Sequence, residues 1–337
     1  MRRRAHIAVA AVVCAATVLS LGLWMGGRSA SGAAAPTHVR MVLQWAPQTQ
    51  FAGYYMALEK GFYLEQRLDV QIIPGGPAID SLDYLRHGRA EFATAFLTGA
   101  ITAAAKGTPV VDVGQIVNRS NLLIVARRSV VKERADLDGR RVSLWGAGFR
   151  SAYIGYFETA RIKPRIVPQY YSVNLFLQGG VDACAAMEYN EYNTIVQAGV
   201  DPGEMTTFSM RAGGFDFPED GVYAMAALAR QNPGLCRRFA AASLQGWEYA
   251  REHPDEAVAS VMAHAAAAHV PTNRAHQRWM LDHILTAIFP GVHGTWQTGV
   301  LRQADYERVR AIMIGEGLID RAPSYERFVA PGARSAP

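Results

Sequence analysis

The chain is poor in the residues that covalent and metal chemistry needs. It has 337 residues and three cysteines, and one of these, Cys14, lies in an apolar run near the start. The remaining two, Cys184 and Cys236, are too few for a zinc framework. They can pair in an oxidising compartment, but nothing in their spacing requires it. No His-Glu-x-x-His, Gly-x-Ser-x-Gly or phosphate-binding loop occurs. His264 and His269 are five apart, so they do not share a helix face as metal ligands would. No internal repeat is present, and no excess of one charge survives close reading. The formal charge is +5, yet Arg2, Arg3, Arg4 and Arg28 all fall in the first 35 residues, which hold no acid; without them 30 basic residues face 29 acidic ones. That balance gives no case for nucleic acid as a partner, and none is expected.

Half of the chain is apolar, enough for a large core and two lobes of ordinary domain size. Three arginines, the apolar run Ile7–Met25 and the small residues Ser29–Ala35 follow the pattern of an export signal. The run is also nearly long enough to span a bilayer, so residues 1–35 are either a cleaved leader or an N-terminal anchor. Cys14 follows Val13 inside the run, where a lipid-anchored cysteine would need a small residue before it. The expected location is periplasmic or otherwise extracytoplasmic.

The most informative stretch is Val39–Gly76. Val39–Leu43 is a short apolar strand ending at Gln44-Trp45. A Trp-Ala-Pro-Gln loop follows, then a helix from Phe51 to Lys60 stopped by Gly61, then a strand over Leu68–Ile73. An aromatic residue where a parallel strand ends faces the crevice in which open α/β sheets bind ligands. The alternation continues with a helix over Ile79–His87 entered by the Gly75-Gly76-Pro77 turn, strand Glu91–Phe96, helix Thr98–Lys106, and strands Val110–Gln115 and Leu122–Ala126. These last runs are apolar throughout, as in a sheet covered on both faces. A charged segment, Arg127–Arg140, marks a boundary. Strand Val142–Trp145, helix Ser151–Ala160, a segment at Arg165–Tyr170 and helix Glu188–Ala198 follow. Pro218–Ala227 returns to extended apolar sequence, and Pro233–Leu318 reads as mostly helical, with Pro254 at a helix start.

The layout predicts an α/β fold of two lobes joined by two crossings, with residues 36–127 and 218–337 in lobe 1 and 128–217 in lobe 2. The cleft between such lobes is the natural ligand site. Trp45 either stacks on a planar ligand or caps the sheet. Gln48 can donate and accept at a ring edge. Of Tyr54 and Tyr55, one at most faces the cleft; Tyr54 is the candidate ligand contact, and the other packs in the core. Phe96 and Thr98 open a helix whose first-turn N–H groups can meet an acceptor, and Gly75-Gly76 offers a similar start. Trp145-Gly146-Ala147-Gly148 half-matches a dinucleotide fingerprint. It has Ser151 at the third glycine position and no acidic partner at the usual offset, so it reads instead as a small-residue turn with Trp145 as an aromatic wall. Glu188, Tyr189, Asn190 and Glu191 form the sharpest polar segment. Their acids either accept from a ligand or satisfy a helix start. Glu219-Asp220 reads as part of the hinge return.

The pieces LQWAPQTQFAGYYMALEKGFY, LDVQIIPGG, HGRAEFATAF, KGTPVVDVGQI, DLDGRRVSLWG, GGVDACAAMEYNEY and FPEDGVYA together resemble the periplasmic binding proteins of thiamine-pyrimidine precursor type. Those are related to the yeast pyrimidine synthase and to sulfonate-binding proteins. The resemblance runs from about Val39 to Trp247. It implies a type II periplasmic-binding fold, a small heterocyclic ligand, an ABC permease as partner, no cofactor, and a monomer. Many pyrimidine binders carry Asn and His in the first loop, where this chain has Gln48 and Phe51. The yeast branch carries Lys and His after the third strand and a later run of cysteines. Ala95–Ala100 has neither Lys nor His, and FPEDGVYA has no cysteine, so the expectation is a binder and not an enzyme. A pyrimidine-making enzyme, a membrane-tethered sensor, and a binder of riboflavin or a sulfonate are the alternatives.

Overall fold

A computed structural model describes residues 35–146, 149–291 and 297–335. The leader, Cys14, Ala147 and Gly148 lie outside the described residues. Strands β1 (Thr37–Val42), β2 (Leu68–Ile73), β3 (Phe92–Phe96) and β4 (Val110–Gln115) alternate with α1 (Ala52–Glu59), α2 (Phe62–Glu65), α3 (Ser81–Arg86) and α4 (Leu97–Ala105). Then come β5 (Leu122–Arg127), β6 (Arg141–Leu144), α5 (Arg150–Ala160), β7 (Arg165–Pro168), α6 (Asn174–Leu177), β8 (Ala183–Met187), α7 (Glu191–Gln197) and β9 (Met205–Ser209). β10 (Asp220–Met225) precedes α8 (Ala226–Gln231), α9 (Pro233–Glu252), α10 (Pro254–Ala267), α11 (Arg274–Ile288), α12 (Gln303–Gly315) and α13 (Tyr325–Phe328).

These elements build two five-stranded sheets, ordered β2-β1-β3-β10-β4 and β7-β6-β8-β5-β9. Each is parallel except around one antiparallel strand, β10 in the first and β5 in the second. Both antiparallel strands stand directly after a crossing between lobes, so each sheet is completed by chain arriving from the other. This is the two-lobe type II architecture. β3, β4 and β8 are buried along their whole lengths or nearly so, as apolar runs covered by helices on both faces must be.

Several elements differ from the sequence reading. β5 joins the second sheet and not lobe 1, where the sequence layout puts it; an all-apolar central strand carries no local mark of which sheet it enters. α3 begins at Ser81, because the Asp80 carboxylate accepts from the Leu82 and Asp83 N–H groups and caps it there. The Gly75-Gly76 turn is therefore not a helix start. Gly75 serves a close approach instead: its N–H donates to the Trp45 carbonyl, and a Cβ there would stand 2.1 Å from the Leu43 oxygen. Cys184 in β8 and Cys236 in α9 are both free and buried.

The core of the first lobe is set by α9 crossing α1. A Cβ on Gly246 would lie 2.0 Å from the Gly53 carbonyl, so the helices touch backbone to backbone. Trp247, fully buried, fills the adjoining space. Tyr54 packs edge-on against it at 5.9 Å. Tyr54 is thus a core residue and not the cleft residue that the sequence offered. Its neighbour Tyr55 is buried as well and stacks on His264 at 4.1 Å.

Candidate functional site

β1 and β3 end at one edge of the first sheet, and antiparallel β10 begins there, with Asp220 opposite Phe96. The loop after β1 folds over that edge. Its glutamines converge on Asp220. Gln44 Nε2 donates to Oδ1 at 2.8 Å and Gln50 Nε2 to Oδ2 at 2.6 Å. Gln48 Nε2 donates to Gln50 Oε1 at 2.5 Å. Gln44 is itself held by its N–H, which donates to Thr94 Oγ1 at 2.8 Å. Burial raises the Asp220 carboxyl to about 6, against the pull of the two amides. Gln48 is therefore nearly buried, at the end of a relay instead of in solvent.

Trp45 is half-buried above this network. Tyr171, reaching over from the second lobe, places its ring 5.0 Å from that of Trp45, and its hydroxyl donates to the Pro77 carbonyl at 3.2 Å. On the same side Phe149 meets Phe96 edge-on at 4.4 Å and Trp145 at 5.4 Å. Trp145 Nε1 donates to the Tyr170 carbonyl at 3.2 Å. A small cavity between the lobes is lined by Phe96 and Thr98 from one side, Leu122, Phe149 and Ala152 from the other, and Phe217–Glu219 at the hinge. The first N–H of α4, on Leu97, donates to the Glu219 carbonyl. That donor, expected to meet a ligand, instead ties the helix to the hinge.

The second lobe supplies the turn between β8 and α7. Glu188 and Asn190 are partly exposed there, while Tyr189 is buried. Glu191 accepts from the Met187 N–H at 2.9 Å and from Asn190 Nδ2 at 2.7 Å. Burial raises it to about 7. Burial also pushes the Tyr189 hydroxyl well above its usual range, and Asp220, Glu219 and Glu191 add to the effect. Those three carboxylates, from both lobes and the hinge, thus act on one buried phenol.

The hinge is two paired strands of chain. Val117 and Ile116 N–H donate to the Asp220 carbonyl, and Glu219 N–H donates to Val117. The Glu219 carboxyl accepts from Asn121 N–H at 2.6 Å, Asn121 Nδ2 at 2.9 Å and Ser120 Oγ at 3.2 Å. Asp216 accepts from Ser120 N–H and pairs with Arg119, both at 2.8 Å. Glu219 is raised to about 8 by burial.

Of the residues the sequence pointed to, Phe96 and Thr98 line the interlobe cavity and Trp145 packs on Phe149 of its wall, while Trp45 meets Tyr171, Gln48 joins the Asp220 relay, and the Glu188–Glu191 turn lies against α11. The sequence did not single out Gln44, Gln50, Asp220 or Tyr171. Gln44 and Gln50 lie 176 and 170 residues from the aspartate they hold, and no local pattern marks such a pairing. Among the described residues no group of His, Cys, Asp and Glu has metal-binding geometry. The region offers stacking faces and buried carboxyls that can accept or, protonated, donate.

Comparison with known proteins follows the same lines. A family model described as NMT1/THI5 like matches residues 48–257. The riboflavin-binding protein RibY of Chloroflexus aurantiacus is 26% identical over 230 residues, covering 65% of this chain and 64% of that one. This chain thus spans just under two thirds of that relative's length. The formylaminopyrimidine-binding protein of Halalkalibacterium halodurans is 24% identical, covering 69% of this chain and 72% of that one. The aliphatic sulphonate binding protein SsuA from Escherichia coli superposes with a TM-score of 0.64 at 17% identity, over 89% of this chain and 99% of that one.

Proposed function

The chain belongs to the NMT1/THI5-like family, and from that premise we propose that it is an extracytoplasmic solute-binding protein that delivers a planar heterocycle, a thiamine pyrimidine precursor, to an ABC permease. In this reading residues 1–35 are the export leader, the lobes divide at the crossings near Asn121 and Pro218, and the protein works as a monomer without cofactor.

The observation that supports the reading is a pair of carboxyls raised toward neutrality by burial, one from each lobe: Asp220, held by the glutamines of the loop that carries Trp45, and Glu191 at the β8–α7 turn. An aminopyrimidine edge presents an amine donor next to a ring-nitrogen acceptor. A carboxyl that titrates near neutrality matches both, since one oxygen accepts and a protonated one donates. Stacking on Trp45 adds about 1 kcal/mol beyond area burial. Closure of the lobes then presents a joined surface to the permease, and the ligand shifts closure only by its preference for that state. The Ala95–Ala100 segment lacks the lysine and histidine of the pyrimidine-making branch, which supports binding over catalysis.

Riboflavin is the second reading. It is favoured by the RibY likeness and by the broad aromatic wall of Phe96, Trp145 and Phe149. A thermal-shift panel of a formylaminopyrimidine, riboflavin and short alkanesulfonates separates the readings, because a ligand of the folded state raises the melting temperature by mass action. A shift with the pyrimidine alone supports the proposal. A shift with riboflavin alone replaces the ligand. No shift with any of them contradicts the solute-binding reading for this ligand set.

A further inference from the structure

Helix α11 touches both of the segments proposed to hold the ligand, and it does so through adjacent residues. Gln277 faces the first lobe. Its Oε1 accepts from the Thr49 N–H at 2.7 Å, and its carbonyl accepts from Thr49 Oγ1 at 2.8 Å. Thr49 stands between Gln48 and Gln50 of the Asp220 relay. His276 faces the second lobe, with Nε2 3.0 Å from Asn190 Oδ1 and Nδ1 2.9 Å from Asn193 Nδ2. Three further contacts follow the same seam: Trp279 Nε1 donates to the Glu188 carbonyl at 3.0 Å, Trp279 stacks near Tyr192 at 6.1 Å, and Asn273, the cap of α11, donates to Gln197 at 3.0 Å.

The hydrogen bonds fix the chemistry of the seam. Asn190 Nδ2 is committed to Glu191, so its Oδ1 must face His276, and His276 Nε2 must carry the proton. Nδ1 is then an acceptor, which the amide of Asn193 fills. His276 is partly buried, and burial lowers its pKa; the neutral ring is the form that both asparagines require. The chain of bonds therefore runs Glu191–Asn190–His276, turns through the α11 backbone to Gln277, and ends at Thr49 beside Gln48. At its other end α11 meets the hinge, where the Ala287 carbonyl accepts from the Asn118 N–H.

We propose that His276 and Gln277 form a closure latch: a positioning pair that locks the Glu188–Glu191 turn of one lobe against the Gln48–Gln50 turn of the other and so sets how far the cleft is closed before ligand arrives. The proposal rests on the solute-binding reading, but it adds residues more than 80 positions beyond the second-lobe turn (His276 is 86 from Asn190), and these touch the ligand-holding segments without belonging to them. A ligand then acts on a cleft already biased toward closure, and loss of the latch weakens its apparent affinity by the fraction of closed protein lost.

The test needs no ligand. In the full chain carrying Cys14→Ser, spin labels on Lys106→Cys in the first lobe and Glu204→Cys in the second report the interlobe distance; both positions are exposed, whereas Cys184 and Cys236 are buried. His276→Leu keeps bulk and removes both ring hydrogen bonds, and Asn193→Ala removes one of them from the opposite lobe. The expected result is a longer, broader distance distribution in both variants, with the open-to-closed ratio rising roughly tenfold in His276→Leu and less in Asn193→Ala. His276→Gln, which keeps a donor and an acceptor, restores part of the closed population. Distance distributions equal to the parent's in both variants overturn the latch, and if His276→Leu does not fold, Asn193→Ala alone decides. Binding of the formylaminopyrimidine to the unaltered protein, measured separately, decides the ligand reading, so the two can fail independently.

Discussion

Glu219→Gln is expected to reverse its effect on stability with pH. Burial raises the Glu219 carboxyl from 4.5 to about 8, with neighbouring Asp220 adding and the Asn121 and Ser120 donors opposing. The folded state therefore holds this proton more tightly than the unfolded chain does. The contribution of Glu219 to stability is fully present below about pH 4.5 and is lost as pH rises through about 8. Between pH 5 and pH 8 the loss comes to roughly 3 kcal/mol. Glutamine keeps the shape and does not titrate. However, it sets Nε2 toward Asn121 Nδ2, donor against donor, at a cost of about 1–3 kcal/mol. The variant should thus melt below the parent at pH 5 and at or above it at pH 8. At roughly 2–3 °C per kcal/mol for a chain of this size, the gap between the two should move by about 6–9 °C over that interval. Scanning calorimetry of both proteins from pH 5 to pH 8 measures it. A gap that stays constant across the range refutes the argument that Glu219 is a desolvated acid clamping the hinge.

Other outcomes follow from the same geometry. Gly75→Ala puts a methyl 2.1 Å from the Leu43 carbonyl and must displace the turn beneath Trp45; a melting temperature several degrees lower is expected, in line with an overpacking cost of about 1–3 kcal/mol, and an unchanged value would contradict the close approach. Tyr171→Phe removes the hydroxyl that spans to Pro77, yet Tyr171 is 61% exposed, so stability should change by under about 0.5 kcal/mol while the resting cleft opens, as read by tryptophan fluorescence of Trp45. Cys184 and Cys236, buried with raised pKa, should resist a thiol reagent in the native protein and react fully once it is unfolded; rapid native labelling of both would show that the cores of the lobes are looser than described.

Much of the architecture was legible because it is written locally. The buried apolar runs of β1, β3 and β4, the stop at Gly61, and Pro254 at the first turn of α10 each act within a few residues, and the observed bounds fall within about two positions of the sequence reading. Where a choice depends on distant pairing, the sequence was silent. β5 is apolar on both faces and would suit either sheet; its partners β8 and β9 decide. β9, with Met, Thr, Thr, Phe and Ser, is an edge strand without a strong pattern and went unread. The same division holds at the site. Trp45 and Glu191 stand out from composition at an element's end. Tyr54 looked equally eligible, but the backbone contact of Gly53 with α9 turns it into the core. Asp220 looked like a hinge residue until Gln44 and Gln50, far away in the chain, were seen to hold it.

The most direct test of the solute-binding reading is isothermal titration of a formylaminopyrimidine into the protein near pH 7, alongside Trp45→Ala and Asp220→Asn. The account predicts saturable one-to-one binding that weakens about tenfold or more in each variant while both remain folded. Absence of heat with the unaltered protein, or equal affinity in all three, would contradict it.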